Sequence, residues 1–61
     1  MNTRYIMTTS YSDASVKGEH ENDLAALLCA AAIYWEDPDC IFIHIWDKKT
    51  GADVLSFSRP Y

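Results

Sequence analysis

From Leu24 to Trp35 the chain reads LAALLCAAAIYW, a run with no charge, amide or hydroxymethyl group. Apolar residues recur within it at 24, 27, 28, 31 and 34 or 35, the spacing of one helical face, and leucine and alanine are strong helix formers. Glu19, Glu21 and Asp23 precede the run, where unpaired amides and the positive end of a helix dipole favour acids. The pattern therefore predicts a helix that begins just after Gly18. Pro38 disfavours helical geometry at Asp37, so the helix ends near Trp35 or Glu36.

Three further segments read as strands. Residues 4–11, RYIMTTSY, are aromatic and β-branched without glycine or proline, with Tyr5, Met7, Thr9 and Tyr11 on one face and Arg4, Ile6, Thr8 and Ser10 on the other. Residues 12–18, SDASVKG, read as a loop. Residues 40–46, CIFIHIW, carry isoleucine at alternate positions 41, 43 and 45, with Phe42, His44 and Trp46 between them. DKKTG, residues 47–51, then predicts a hairpin, with aspartate to start the turn and Gly51 where a left-handed conformation is needed. The last strand covers 53–58 and ends before Pro60.

The order β-α-β-β predicts an α+β fold of two layers, one domain over residues 1–61, with a three-stranded sheet and one helix packed on one face. A right-handed crossover through the helix would set the first two strands parallel and let the first pair antiparallel with the last.

This arrangement has more apolar surface than it can cover. Leu24, Leu27, Leu28, Ala31 and Tyr34 or Trp35 supply the single stripe a surface helix needs, yet Ala25, Ala26, Cys29, Ala32 and Ile33 continue round the far side. The strand at 40–46 shows the same excess. If its isoleucines face the helix, Cys40, Phe42, His44 and Trp46 face away, and a strand that is apolar on both faces is normally covered on both. Two covered aromatic side chains amount to about 300–500 Å², the size of the largest apolar patch on a typical monomer. The second cover is a partner chain or, failing that, the loop at 12–18 or the C-terminal SRPY folded across the face. The expected interface is Phe42, His44, Trp46, Ile33, Trp35, Ala32 and Cys29.

Charge narrows the partners. Nine acids against five bases give a formal net charge of −4, which argues against direct contact with a nucleic-acid backbone. The apolar run is too short to cross a membrane, and the N-terminal MNTRYIMTTSY lacks the apolar core of a secretion signal, so the expected location is cytoplasmic. Two cysteines without such a signal make no disulfide framework. Cys29 and Cys40 both read as small buried side chains.

No pattern in the chain carries reaction chemistry. His20, His44, Cys29, Cys40 and the acids include zinc-ligand types, but no closely spaced pair such as C-x₂-C or H-x₃-H occurs. Serines, histidines and aspartates supply a nucleophilic triad in composition only, without a nucleophile elbow, and no glycine loop cradles phosphate. The expectation is a non-enzymatic chain without metal or cofactor. His44 reads as a polar element in an apolar interface, able to tune association with pH.

The leading expectation is a small interaction protein, homodimeric, that binds and regulates or inhibits a larger protein. In size, acidity and lack of motifs it looks like the short phage-encoded proteins that block bacterial defence systems, a likeness of style that no residue pattern carries. The alternative is an acidic mimic of nucleic acid. There Glu19, Glu21 and Asp23 at the start of the helix and Glu36, Asp37 and Asp39 at its end would occupy a basic groove on a DNA- or RNA-binding enzyme. A third expectation is an accessory subunit of a constitutive complex.

Overall fold

The structure is a computed structural model that describes residues 3–60. Five elements follow one another: β1 (Tyr5–Tyr11), β2 (Val16–Glu21), α1 (Leu24–Trp35), β3 (Cys40–Asp47) and β4 (Asp53–Ser58). They form an α+β fold with one helix on one face of a four-stranded sheet of order β2-β1-β3-β4, every neighbouring pair antiparallel.

The sheet thus has one strand more than the sequence pattern predicts. The segment read as a loop and a helix start is instead a hairpin arm: residues 16–21 pair with β1 from Ser10↔Val16 to Tyr5↔Glu21. Its turn is built without glycine. Ala14 takes a positive φ of 71°, its amide donates to the Tyr11 carbonyl (3.0 Å), and Asp13 accepts from both the amide and the hydroxyl of Ser15 (2.9 and 2.6 Å). This is a three-residue hairpin loop with a left-handed third position. Charges and a glycine in VKGEHE suit an edge strand, where they discourage pairing with other chains.

The extra strand also changes the connection. β1 and β3 are antiparallel, not parallel, because the chain has already reversed direction in β2 before it enters the helix. With β1 and β3 paired at the centre, β4 is an edge strand and does not touch β1.

The helix starts at Leu24, later than the acidic pattern predicts. Asp23 is its N-cap, extended at φ −95° and ψ 107°, with its carboxylate accepting from the Ala25 amide at 3.0 Å. Glu36 caps the other end, and Asp37 and Pro38 turn the chain away. Arg59, just past β4, donates to the Trp35 carbonyl (2.8 Å) and the Asp37 carbonyl (3.0 Å) while its guanidinium lies 4.3 Å from the Trp35 ring. A cation on the last carbonyls of a helix complements the dipole there and pins α1 to the end of the sheet.

The core lies between α1 and the sheet: Met7, Leu27, Ala31, Cys40, Ile43 and Ile45 are buried, with Tyr5, Leu24, Tyr34, Trp35 and Leu55 packed against them. Leu28, expected in this stripe, points outward. Cys40 was expected to face away from the helix with Phe42. A bulge brings it inward: Phe42 pairs with Ser10 and Cys40 with Tyr11, so Ile41 is the extra residue and the strand changes phase there. Burial raises the Cys40 thiol pKa. Cys29 is exposed on the helix exterior, contrary to the reading of both cysteines as buried.

Asp47 closes the buried end of β3. Its side chain accepts from Arg4 through Nε (3.1 Å) and a terminal nitrogen (3.0 Å), and from the Lys49 amide (2.9 Å) in the hairpin turn. The Arg4 hydrogen bond is the main reason its carboxyl titrates below the usual range. Gly51 completes the turn at φ 76°, the left-handed geometry that DKKTG predicts. Among the described residues no helix is long and apolar enough to cross a membrane.

Candidate interaction surface

One helix covers one face of the sheet and leaves the other without a second layer among the described residues. Side chains directly opposite in a ladder share a face, so the registers lay the open face out as three cross-strand rows. At the helix-entry end, His20, Ile6, Trp46 and Asp53 stand side by side from β2 to β4. Gly18, Thr8, His44 and Ser56 form the middle row. The third is Val16, Ser10, Phe42 and Ser58.

Apolar bulk therefore lies along the two outer rows and a polar strip between them. Val16 is 63% exposed and Phe42 36%, while Ile6, His44 and Trp46 are half-buried by their neighbours. The His44 ring is 6.1 Å from Phe42, and its Nε2 lies 2.8 Å from Asp53 Oδ1. That carboxylate is itself largely in solvent, so the pair orients the imidazole without a buried charge.

A second uncovered surface is the helix exterior, where Ala25, Ala26, Cys29, Ala32 and Ile33 are exposed and Ile33 reaches 67%. The residues singled out from the sequence accordingly divide. Phe42, His44 and Trp46 share the open sheet face. Ile33, Ala32 and Cys29 share the helix exterior, on the far side of the molecule. Trp35 belongs to neither: it is half-buried at the rim of the core, its ring 5.2 Å from Phe57.

Sequence reasoning left out the half of the open face supplied by β1 and β2, namely Ile6, Thr8 and Ser10 with Val16, Gly18 and His20. The alternation in RYIMTTSY places the first three together. The others become visible only once 16–21 is known to be a strand.

The acidic groups do not form one surface. The Asp23 carboxylate caps the start of the helix while Glu36 caps its end through its backbone amide alone, Glu19 accepts from the Tyr34 hydroxyl at 2.9 Å, and the Glu21 carboxylate accepts from the Asn22 amide at 2.9 Å. Asp37 accepts from the Asp39 amide, and Asp39 from the Ser12 hydroxyl. The bond to Glu19 raises the Tyr34 pKa.

Among the described residues no group of three or more histidine, cysteine or acidic side chains converges as a metal site. A concavity of about 440 Å³ is lined by Thr3, Arg4, Lys48 and Lys49, with Arg4 committed to Asp47 and the Thr3 hydroxyl 3.5 Å from His20 Nδ1. No family model, curated protein or solved structure matches the chain.

Proposed function

We propose that this chain is a small non-enzymatic protein that acts by docking: it associates with itself, and it binds and regulates a larger protein. The observation that supports the reading is the uncovered sheet face, where Ile6, Val16, Phe42 and Trp46 stand in or near water on a layer whose other face carries the core under the helix. Exposed apolar side chains gathered on one uncovered layer, here in two rows on either side of a polar strip, are a feature of protein interaction surfaces. Inhibition of the larger protein, the work of the short phage proteins that the chain resembles in style, is the form of regulation to test first.

The acidic groups favour this reading over the nucleic-acid mimic, because they are spread over β2 and both ends of α1 and several are engaged in caps and turns. Capture experiments separate the two. The wild-type chain serves as bait beside a Phe42→Ser/Trp46→Ser variant and an Ile33→Glu variant. Each is tested at low salt and at about 0.5 M, where charges more than roughly 4 Å apart are screened. A partner retained in high salt and lost with either variant is the expected result. A partner released by salt and indifferent to both would replace the proposal with the acidic mimic.

A further inference from the structure

The reading above leaves open what covers the open sheet face. Resting on it, we infer that the occupant is a second copy of the chain, packed face to face with its two-fold axis parallel to the strands and midway between β1 and β3. The dimer is then a four-layer sandwich, helix, sheet, sheet, helix.

Area is the first argument. Four strands at about 4.8 Å spacing and six residues at about 3.3 Å rise give a face of roughly 20 by 20 Å. Two copies thus cover about 800 Å² of flat face before side-chain relief is counted, against about 1,200 Å² at the lower end for a specific stable interface. The helix exterior, about 18 Å long and about 10 Å wide, offers less than half of that.

Complementarity is the second argument and selects the axis. A two-fold parallel to the strands sets β1 against the partner's β3 and β2 against its β4, keeping each row on itself. Each ring then meets a side chain without a ring: Phe42 faces Ser10, Trp46 faces Ile6, and His44 faces Thr8. At the corner His20 faces Asp53, an imidazole donor opposite a carboxylate, and in the middle row Gly18 faces Ser56. A two-fold across the strands would instead set Trp46 against Phe42 and stack His44 on its own copy. Alternating large and small residues across facing layers is how sandwich cores reach interior density.

Paired cysteines test both the occupant and the axis. Within one chain Gly18 and Ser56 stand on opposite edge strands, three spacings or about 14 Å apart, too far for a disulfide. Across the proposed interface they face each other, as the cysteines of inter-sheet disulfides do in other sandwiches. A Cβ added at Gly18 meets nothing within 4 Å, so the backbone there accepts a side chain. In a Cys29→Ser background, G18C/S56C is expected to oxidise to a covalent dimer, while G18C alone and S56C alone stay uncrosslinked.

Light scattering of the unmodified chain is expected to give twice 6.9 kDa, falling to 6.9 kDa for Phe42→Ser/Trp46→Ser with an unchanged circular dichroism spectrum. A monomer at all concentrations would overturn the inference. So would a dimer that keeps its mass in that variant, or a dimer crosslinked by either single cysteine. A salt-resistant larger partner found beside any of those outcomes leaves the regulatory part of the proposed function standing, and a monomer removes its self-association. A crosslinked dimer that captures nothing removes the regulatory reading and leaves the dimer.

Discussion

The two faces of the sheet are made by alternate residues of the same strands, yet they differ in what surrounds them. On the helix side Met7, Ile43 and Ile45 have no exposure, and even a charged group, Asp47, is taken in with Arg4 and backbone amides around it. One residue along, Ile6, Phe42 and Trp46 are comparably apolar and only partly covered by each other. Strand composition does not decide which face is core. The position of a single helix does, and the apolar residues it leaves uncovered make up the proposed docking surface. The open face also differs in texture, with rings beside serine, threonine and glycine, an arrangement suited to another surface rather than to water.

Adjacent residues of β3 offer the sharpest way to break this contrast. Ile43→Ala is expected to cost about 2–5 kcal/mol by leaving a cavity, against a total of roughly 3–9 kcal/mol for a domain of this size, so chemical denaturation should find it largely unfolded. Phe42→Ser, its neighbour on the open face, should leave the monomer's unfolding midpoint nearly unchanged while weakening self-association. Equal destabilisation by the two would show that both faces are core within a single chain.

Acid probes Asp47, the carboxylate buried at the end of the inner face. The Asp47 carboxyl is held below the usual range, chiefly by the Arg4 hydrogen bond. Its contribution is therefore fully present above the unfolded value near ~3.9 and is lost as pH falls through the lower folded one. Melting temperatures of the wild type and Asp47→Asn should differ at pH 6 to 7, and the gap should close below about pH 4. A gap that is constant with pH would mean that the ion pair is not its cause.

Smaller effects test the register that sorts residues between faces. Gly51→Val puts a β-branched residue at φ 76° in the β3–β4 turn and should cost about 1–2 kcal/mol, read from the denaturation midpoint. Thr9 is buried on the helix side with no partner for its hydroxyl, so Thr9→Val should stabilise by about 1 kcal/mol. Thr8→Val, on the open face, should change the monomer little. If the two threonine variants behave alike, the assignment of faces in β1 is wrong.

Where the chain's own residues carry a local rule, the element was legible. The spacing and composition of LAALLCAAAIYW specify a helix, Pro38 its end, and DKKTG a hairpin with Gly51 left-handed, because these are short-range preferences of backbone and side-chain sterics. β2 was hidden because VKGEHE has no β-like composition. It is a strand through its hydrogen bonds to β1, and its turn places alanine where glycine would have been the signal. The side of β3 on which Cys40 falls was hidden for a related reason, since a bulge of one residue at Ile41 reverses every side chain before it.

By itself, then, the sequence determined that there is too much apolar surface for one helix to cover, since residue type and period are properties of the chain alone. Which apolar residues are core and which are left uncovered was decided only in the tertiary structure. Strand pairing and bulge position depend on contacts between segments far apart in sequence, and those contacts select the face on which the helix lands.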